Sequence, residues 1–288
     1  LIPRIPMDPP AWWIQAHPDH AMKWDRPGQD RVPASVASPL YREEAARQLS
    51  QLVAYLEKNW GEHVAGYHPC GQNTGEWFYE DTWTAALSDY SPITTQAWRQ
   101  WLTKKYVTDE ALQKAWKNKE VRLTTADLPT PERRRSTPSG VLHHPQSEQD
   151  LIDLAEFQQD MMAECVCHFA KTVREASGGR KLVVFFYGYT FEFGAIHNGA
   201  PTCGHYALGK VLKSPDIDIL CSPISYWDRG IGGSAPAMSA AESVMHAGKL
   251  WLFEDDTRTY LAKDSRYPGW HDGTDTLAET QSLLMRNT

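Results

Sequence analysis

Two glutamates in this 288-residue chain stand in surroundings suited to opposite chemical tasks. Glu76 lies within Cys70-Gly71-Gln72-Asn73-Thr74-Gly75-Glu76-Trp77-Phe78-Tyr79, too polar and glycine-rich for core. Its neighbours Trp77 and Phe78 are apolar groups of the kind that raise a carboxyl pKa and keep it protonated near neutrality, as a general acid requires. Glu254 ends the run Leu250-Trp251-Leu252-Phe253, and Asp255, Asp256 and Arg258 beside it supply charge and hydrogen bonds that hold a carboxylate ionised, as a nucleophile requires. Glycoside hydrolysis divides labour in this way: a carboxylic acid protonates the departing oxygen while a carboxylate attacks the anomeric carbon, the pair about 5–5.5 Å apart when configuration is retained. Plainer roles stay open for each residue alone, Glu76 as a loop carboxylate capping backbone N–H groups and Glu254 as a strand-end partner of Arg258. Their joint position at two strand ends favours catalysis.

Other chemistries have less to stand on. His143-His144 and Cys165-x-Cys167 lack two further ligands at suitable spacing, so no metal is expected, and no other cofactor either. A non-glycosidic hydrolase working through Asp255 or Asp256 finds no support in a Gly-x-Ser-x-Gly elbow or a P-loop. The 29 basic and 36 acidic residues give a net charge of −7, opposite to what a phosphate backbone attracts, so nucleic acid is not an expected partner. No apolar run approaches the roughly 20 residues that span a bilayer, and a soluble protein without membrane contact is expected. Five cysteines, an odd number without C-x-x-C pairing, read as reduced thiols and favour the cytoplasm. The opening Leu1-Ile2-Pro3, without a start methionine or leader features, suggests a trimmed or incomplete chain. Twelve tryptophans and twelve tyrosines supply flat apolar faces with polar edges, which suit sugars as well as a core.

The elements that must position these residues follow from periodicity. Apolar β-rich runs at about 1–5, 64–68, 182–187, 217–221 and 250–254 predict five strands. Ser38-Pro39 starts a helix over roughly 40–60 that ends at Gly61, and Ser91-Pro92 starts another through Tyr106. Thr108 caps a short helix to Trp116. Pro145 to Ser177 carries the longest helical stripe, stopped by Gly178-Gly179, and a last helix covers 274–286. Residues 6–39 read as a long loop, and 117–147 as a solvated excursion whose Arg133-Arg134-Arg135 belongs to the surface. Strands alternating with helices imply a parallel α/β sheet of (β/α)-repeat type forming a single domain over 1–288, with function at the carboxyl ends of the strands. A closed TIM barrel needs eight strands, so five imply either overlooked strands or an incomplete barrel whose edges are covered by loops or another subunit.

A family pattern is carried by Gly66-Tyr67-His68 through Asn73-Thr74-Gly75-Glu76-Trp77-Phe78-Tyr79, by Trp98-Arg99-Gln100-Trp101-Leu102-Thr103-Lys104-Lys105-Tyr106, and by Lys249-Leu250-Trp251-Leu252-Phe253-Glu254-Asp255-Asp256-Thr257-Arg258. The chain resembles clan A glycoside hydrolases, nearest the β-galactosidase-like enzymes of family 42. The resemblance implies a retaining glycosidase acting on β-linked, galactoside-like sugars, with Glu76 as acid/base after strand four and Glu254 as nucleophile after strand seven. It implies a TIM-barrel type fold in which this chain holds strands three to seven and lacks one, two and eight, together with an arginine often found on strand two. Gly75 stands where the family usually has asparagine, and Asn73 is the nearest amide for a sugar hydroxyl. Tyr226 is the tyrosine expected to hydrogen-bond the nucleophile. By position, His68, Tyr187, Trp227, Asp256 and Arg258 join it as substrate contacts, with Trp77, Trp227 and Trp251 as stacking candidates and Trp251 the most core-like. Tyr189, Ser225, Asp228 and Arg229 also follow strands. A catalytically impaired sugar-binding or scaffold protein on the same partial barrel is the alternative, and self-association is expected to cover the open edges.

Overall fold

The computed structural model describes residues 1–27, 32–79, 84–136, 143–191, 202–262 and 274–288. The five apolar runs become parallel strands β1 (Arg4–Pro6), β2 (Gly66–Cys70), β3 (Leu182–Phe186), β4 (Ile219–Pro223) and β5 (Leu250–Glu254). They pair in chain order, β1-β2-β3-β4-β5. Because all run the same way, Pro6, Cys70, Phe186, Pro223 and Glu254 end at one rim. The register keeps them level, with Pro6 opposite Cys70 and Pro223 opposite Glu254.

The strands alternate their side chains between two apolar layers. Tyr67, Val183, Phe185 and Leu220 belong to the larger core beneath the helices. Cys70, Val184, Phe186, Ile219 and Cys221 belong to a smaller cluster on the opposite face, with Phe78, Tyr189 and Met238. Gly66 permits the tight approach of β2 to β3, since a Cβ there would lie 2.5 Å from the carbonyl oxygen of Leu182. Strand β2 begins two residues later than its apolar run, because Gly66 and Tyr67 are the residues that pair with Leu182 and Val183.

Helices α1 (Ala11–Ala16), α2 (Pro39–Trp60), α3 (Pro92–Tyr106), α4 (Asp109–Trp116), α5 (Pro131–Arg134), α6 (Gln149–Ala176), α7 (Leu208–Leu212), α8 (Ala241–His246) and α9 (Leu277–Asn287) join the strands. The Ser-Pro starts work as expected: Ser38 Oγ accepts from the Tyr41 amide at 3.0 Å, and Ser91 Oγ from the Thr94 amide at 3.3 Å. Helices α2 and α6 cross-brace, Arg42 donating to the Met161 carbonyl at 2.9 Å while the Tyr41 and Phe169 rings meet edge to face at 5.9 Å.

One expectation is corrected. The segment 6–39 contains α1, too short to show a helical period. The three arginines lie at the surface as expected, Arg135 exposed and the other two half-buried, and they make contacts there: Arg133 grips Asp150 through two bonds of 2.8 and 2.9 Å, Arg134 donates to the Ser88 carbonyl at 2.6 Å, and Arg135 pairs with Asp25 at 2.7 Å. Strand β5 is partly open to solvent, with Leu250, Leu252 and Phe253 exposed. It has one strand neighbour, β4, among the described residues.

The sheet curls strongly. Four strand spacings would separate β1 from β5 by roughly 19 Å in a flat sheet. Even so, Arg4 Nη1 on β1 lies 2.8 Å from Glu254 Oε1 on β5. Only a curved sheet brings its two outer strands together across a concave mouth in this way.

Candidate active site

The loop after β2 is built to hold Glu76. It turns back on itself, with the Trp77 amide donating to the Gly71 carbonyl at 2.9 Å and the Asn73 amide to the Phe78 carbonyl at 3.0 Å. Gln72, Thr74 and Trp77 take left-handed backbone angles (φ 63°, 58° and 64°), as does Gly75 at 78°. Such conformations cost a non-glycine residue about 1–3 kcal/mol each, and surrounding contacts must offset them. Here the Trp77 ring supplies those contacts, fully buried against Phe169 and Phe185 with its N–H on the Pro69 carbonyl at 3.1 Å. Trp77 is therefore an anchor for the loop and not a sugar platform. Its burial turns the neighbouring Glu76 side chain toward the rim.

Glu76 Oε1 accepts from the Tyr189 hydroxyl at 2.9 Å, and Oε2 from the Thr74 hydroxyl at 2.6 Å. Burial raises its pKa above the usual carboxyl value, the Thr74 and Tyr189 bonds oppose the rise, and the negative charge of Glu254 adds to it. Tyr189 is buried, and burial with the neighbouring Glu76 charge pushes its own pKa well up, so it remains a donor. Glu254 is half-buried. Its pKa is also raised, first by burial, with Arg4 pulling it down, Asp256 pushing it up and Arg229 pulling it down. Arg4 lies in the field of Cys70, Glu254 and Glu76 together, which outweighs its burial and raises its pKa. The Arg4 guanidinium stacks on the Phe186 ring at 4.6 Å. Arg4 is thus ion-paired with Glu254 and lies within electrostatic reach of Glu76.

Beside Glu254, Asp256 accepts from the Tyr226 hydroxyl at 2.9 Å and from Arg229 at 2.6 Å. The buried Arg229 lies over the Tyr226 ring at 3.9 Å. Arg286 on α9 donates to the carbonyls of Arg229, Gly230 and Gly233, fixing the loop that carries them. The Tyr226 hydroxyl is therefore held on Asp256 and not on Glu254, because Asp256 is presented to it by Arg229.

The remaining expected residues divide by accessibility. His68 is buried against Phe186 with ring centroids 4.4 Å apart, and burial followed by the charge of Arg4 lowers its pKa to about 3, leaving it neutral. Asn73 is half-buried, and its carbonyl oxygen, 2.7 Å from the Thr74 hydroxyl, competes with Glu76 Oε2 for that hydroxyl's one proton. Tyr187 is fully buried with its hydroxyl on the Gly204 carbonyl at 2.8 Å, so it cannot meet a sugar. Trp227 is exposed (73%) on the loop held by Arg286, and Trp251 packs partly into the core from within β5. Arg258 is half-buried. The guanidinium on Glu254 is that of Arg4.

Sequence reasoning missed Arg4, the role of Tyr189 and His205. Arg4 was hidden in a strand read as an apolar run, although a cation near a strand's carboxyl end is a usable signal. His205 sits in no periodic segment, and nothing in the sequence singles it out. Among the described residues no group of three or more His, Cys, Asp or Glu side chains could hold a metal ion. No described helix is long and apolar enough to cross a membrane.

The comparisons with known proteins agree with this geometry. The family model described as beta-galactosidase, glycoside hydrolase family 42, matches residues 7–199. A beta-galactosidase of Thermus thermophilus is 35% identical over 115 residues, covering 38% of this chain and 16% of that protein. The beta-galactosidase of the Antarctic haloarchaeon Halorubrum lacusprofundi superposes with a TM-score of 0.55 at 22% identity, over 84% of this chain and 33% of its own. The catalytic domain of a beta-amylase from Paenibacillus polymyxa superposes at 0.62 with 15% identity, over 86% and 64%. The chain spans about a sixth of the length of the curated relatives and about a third of the structurally similar beta-galactosidases. Its parallel sheet with flanking helices is of the TIM-barrel glycoside hydrolase type.

Proposed function

Because the chain belongs to glycoside hydrolase family 42, the beta-galactosidase family, we propose that it cleaves β-linked, galactoside-like sugars by a retaining double displacement. The observation that carries this reading is the guanidinium of Arg4, ion-paired to Glu254 and in the field of Glu76. Glu254 attacks the anomeric carbon as the bond to the departing oxygen breaks, and Glu76 gives that oxygen its proton. The result is a glycosyl ester on Glu254 and an ionised Glu76. Glu76 then takes a proton from water, whose oxygen attacks the anomeric carbon and returns Glu254 as carboxylate. The different surroundings of the two carboxyls support this division. Burial raises the pKa of both, Glu76 being the more buried, and Glu254 has a cation at 2.8 Å that pulls against the rise.

Sugar contacts are proposed for Trp227, the exposed aromatic on the Arg286-held loop, and for Asn73, Asp256 and Arg258 at the same rim. The chemistry requires no cofactor. We further propose that the five-stranded sheet is part of a barrel, that its open edges are covered by a second copy of the chain, and that the five free cysteines belong to a reducing, cytoplasmic setting. A second reading, sugar binding without turnover, draws on the same open edges. The test separates the two: nitrophenyl β-galactoside turnover by the native chain, Glu76→Ala and Glu254→Ala, with and without azide. Rescue giving a retained glycosyl azide in Glu76→Ala and an inverted one in Glu254→Ala is expected. Binding without turnover in the native chain overturns the hydrolase reading.

A further inference from the structure

His205 lies 129 residues from Glu76 in the chain, yet it holds the peptide of Glu76 and the peptide of Tyr189 with one ring. The imidazole is fully buried and stacked between Phe78, at a centroid distance of 4.0 Å and 5° between planes, and Tyr187, at 4.8 Å and 15°. Its Nδ1 faces two backbone donors, the amides of Gly188 at 3.1 Å and Tyr189 at 3.2 Å. An imidazole nitrogen that accepts two N–H groups carries no proton itself, so the proton sits on Nε2. Nε2 is 2.9 Å from the Glu76 carbonyl oxygen, a pure acceptor, and donates to it. Both ring nitrogens are thereby assigned by their partners. Burial lowers the His205 pKa to about 3, so the ring stays neutral across the working range.

Tyr189 closes the circuit. Its amide is fixed by His205, and its hydroxyl donates to Glu76 Oε1 at 2.9 Å. One neutral ring therefore sets the backbone at both ends of the hydrogen bond that orients the Glu76 carboxyl, and no other described side chain touches both peptides. A positioning function of this kind is worth having, because proton transfer in the transition state depends on the donor's angle and distance more steeply than binding does.

We infer that His205, as the neutral Nε2–H tautomer, is a positioning residue that holds Glu76 in proton-donating geometry by locking the Glu76 and Tyr189 backbones to one another. The inference rests on the reading of Glu76 as acid/base.

The test compares two substrates that need the acid to different degrees. Dinitrophenyl β-galactoside has a leaving group that departs without protonation, whereas an alkyl β-galactoside has one that cannot. His205→Phe preserves the stacking and removes both polar contacts. Its kcat/KM is expected to fall about tenfold or more on the alkyl substrate, within the roughly 10²–10⁴ that a general acid supplies, and to change less than about threefold on the dinitrophenyl one. His205→Gln, which keeps a donor in the Nε2 position, is expected to restore part of the loss and serves if His205→Phe does not fold. Equal losses on both substrates, or none on either, overturn the inference. Glu76→Ala on the same pair tests the underlying reading separately: without a leaving-group split there, Glu76 is not the acid. Nitrogen NMR of the native chain is expected to show a non-titrating Nε2–H ring for His205, and an Nδ1–H tautomer or titration near neutrality overturns the geometry whatever the activity.

Discussion

In the proposed mechanism, Arg4 decides how the two glutamates divide their work. Its guanidinium contacts Glu254 at 2.8 Å and Phe186 at 4.6 Å, so its charge is fixed on the side of the proposed nucleophile. A neighbouring cation favours the charged form of a carboxyl, so Arg4 pulls the Glu254 pKa down against the burial that raises it. Removing the cation leaves only the weaker pull of Arg229 against burial and Asp256, and raises that pKa further. In Arg4→Met the acid limb of the kcat/KM profile, set by ionisation of Glu254, should therefore move to higher pH, with activity reduced at every pH below the new limb. A pH–rate profile from pH 4 to 9 on a nitrophenyl galactoside checks this; an unmoved acid limb would mean that Arg4 does not tune the nucleophile. Glu76 and Glu254 were legible in the sequence because strand ends and flanking residues mark them. Arg4, Tyr189 and His205 were not, because their importance is created by tertiary closure: each acts on a carboxyl that only the curled sheet or the folded loop brings near.

The elements were read well where a long period or a cap signals them. Helix α2 begins at the Ser-Pro pair and α6 follows its stripe from Leu151 to Val173. Short elements such as α1, α7 and α8 escaped because five or six residues do not complete two helical turns. Strand β2 shows how pairing overrides local apolarity, for its first paired residue is Gly66 and not the more apolar Val64. That glycine carries an element-scale prediction. A methyl group at position 66 would meet the Leu182 carbonyl oxygen at 2.5 Å, so Gly66→Ala must push β2 from β3. A loss of about 1–3 kcal/mol is expected, the usual range for overpacking. Urea unfolding measures it directly, and a variant as stable as the native chain would show that the ladder yields without cost. Because β2 leads into the Glu76 loop, the same variant should lose activity beyond its loss of stability.

At the scale of the whole molecule, β1 and β5 each have one strand neighbour among the described residues. Leu250, Leu252 and Phe253 are exposed on β5, and Leu1 and Ile2 precede β1 at the other side. Exposed parallel edges with apolar side chains invite pairing, so sedimentation velocity across micromolar concentrations should show self-association, and Leu252→Lys should weaken it. A concentration-independent monomer would contradict that expectation without touching the chemistry at the rim. The general (β/α) architecture was visible in the alternation of apolar runs and helical stripes; the curvature was not, since no local pattern encodes how far a sheet bends. It is the curvature that brings Arg4 of β1 onto Glu254 of β5. The most direct measurement is covalent trapping with a 2-deoxy-2-fluoro-β-galactoside bearing an activated leaving group, followed by peptide mass spectrometry. A fluorosugar ester on Glu254 is the predicted result, and an adduct on a different residue, or turnover with inversion and no adduct, would contradict the account.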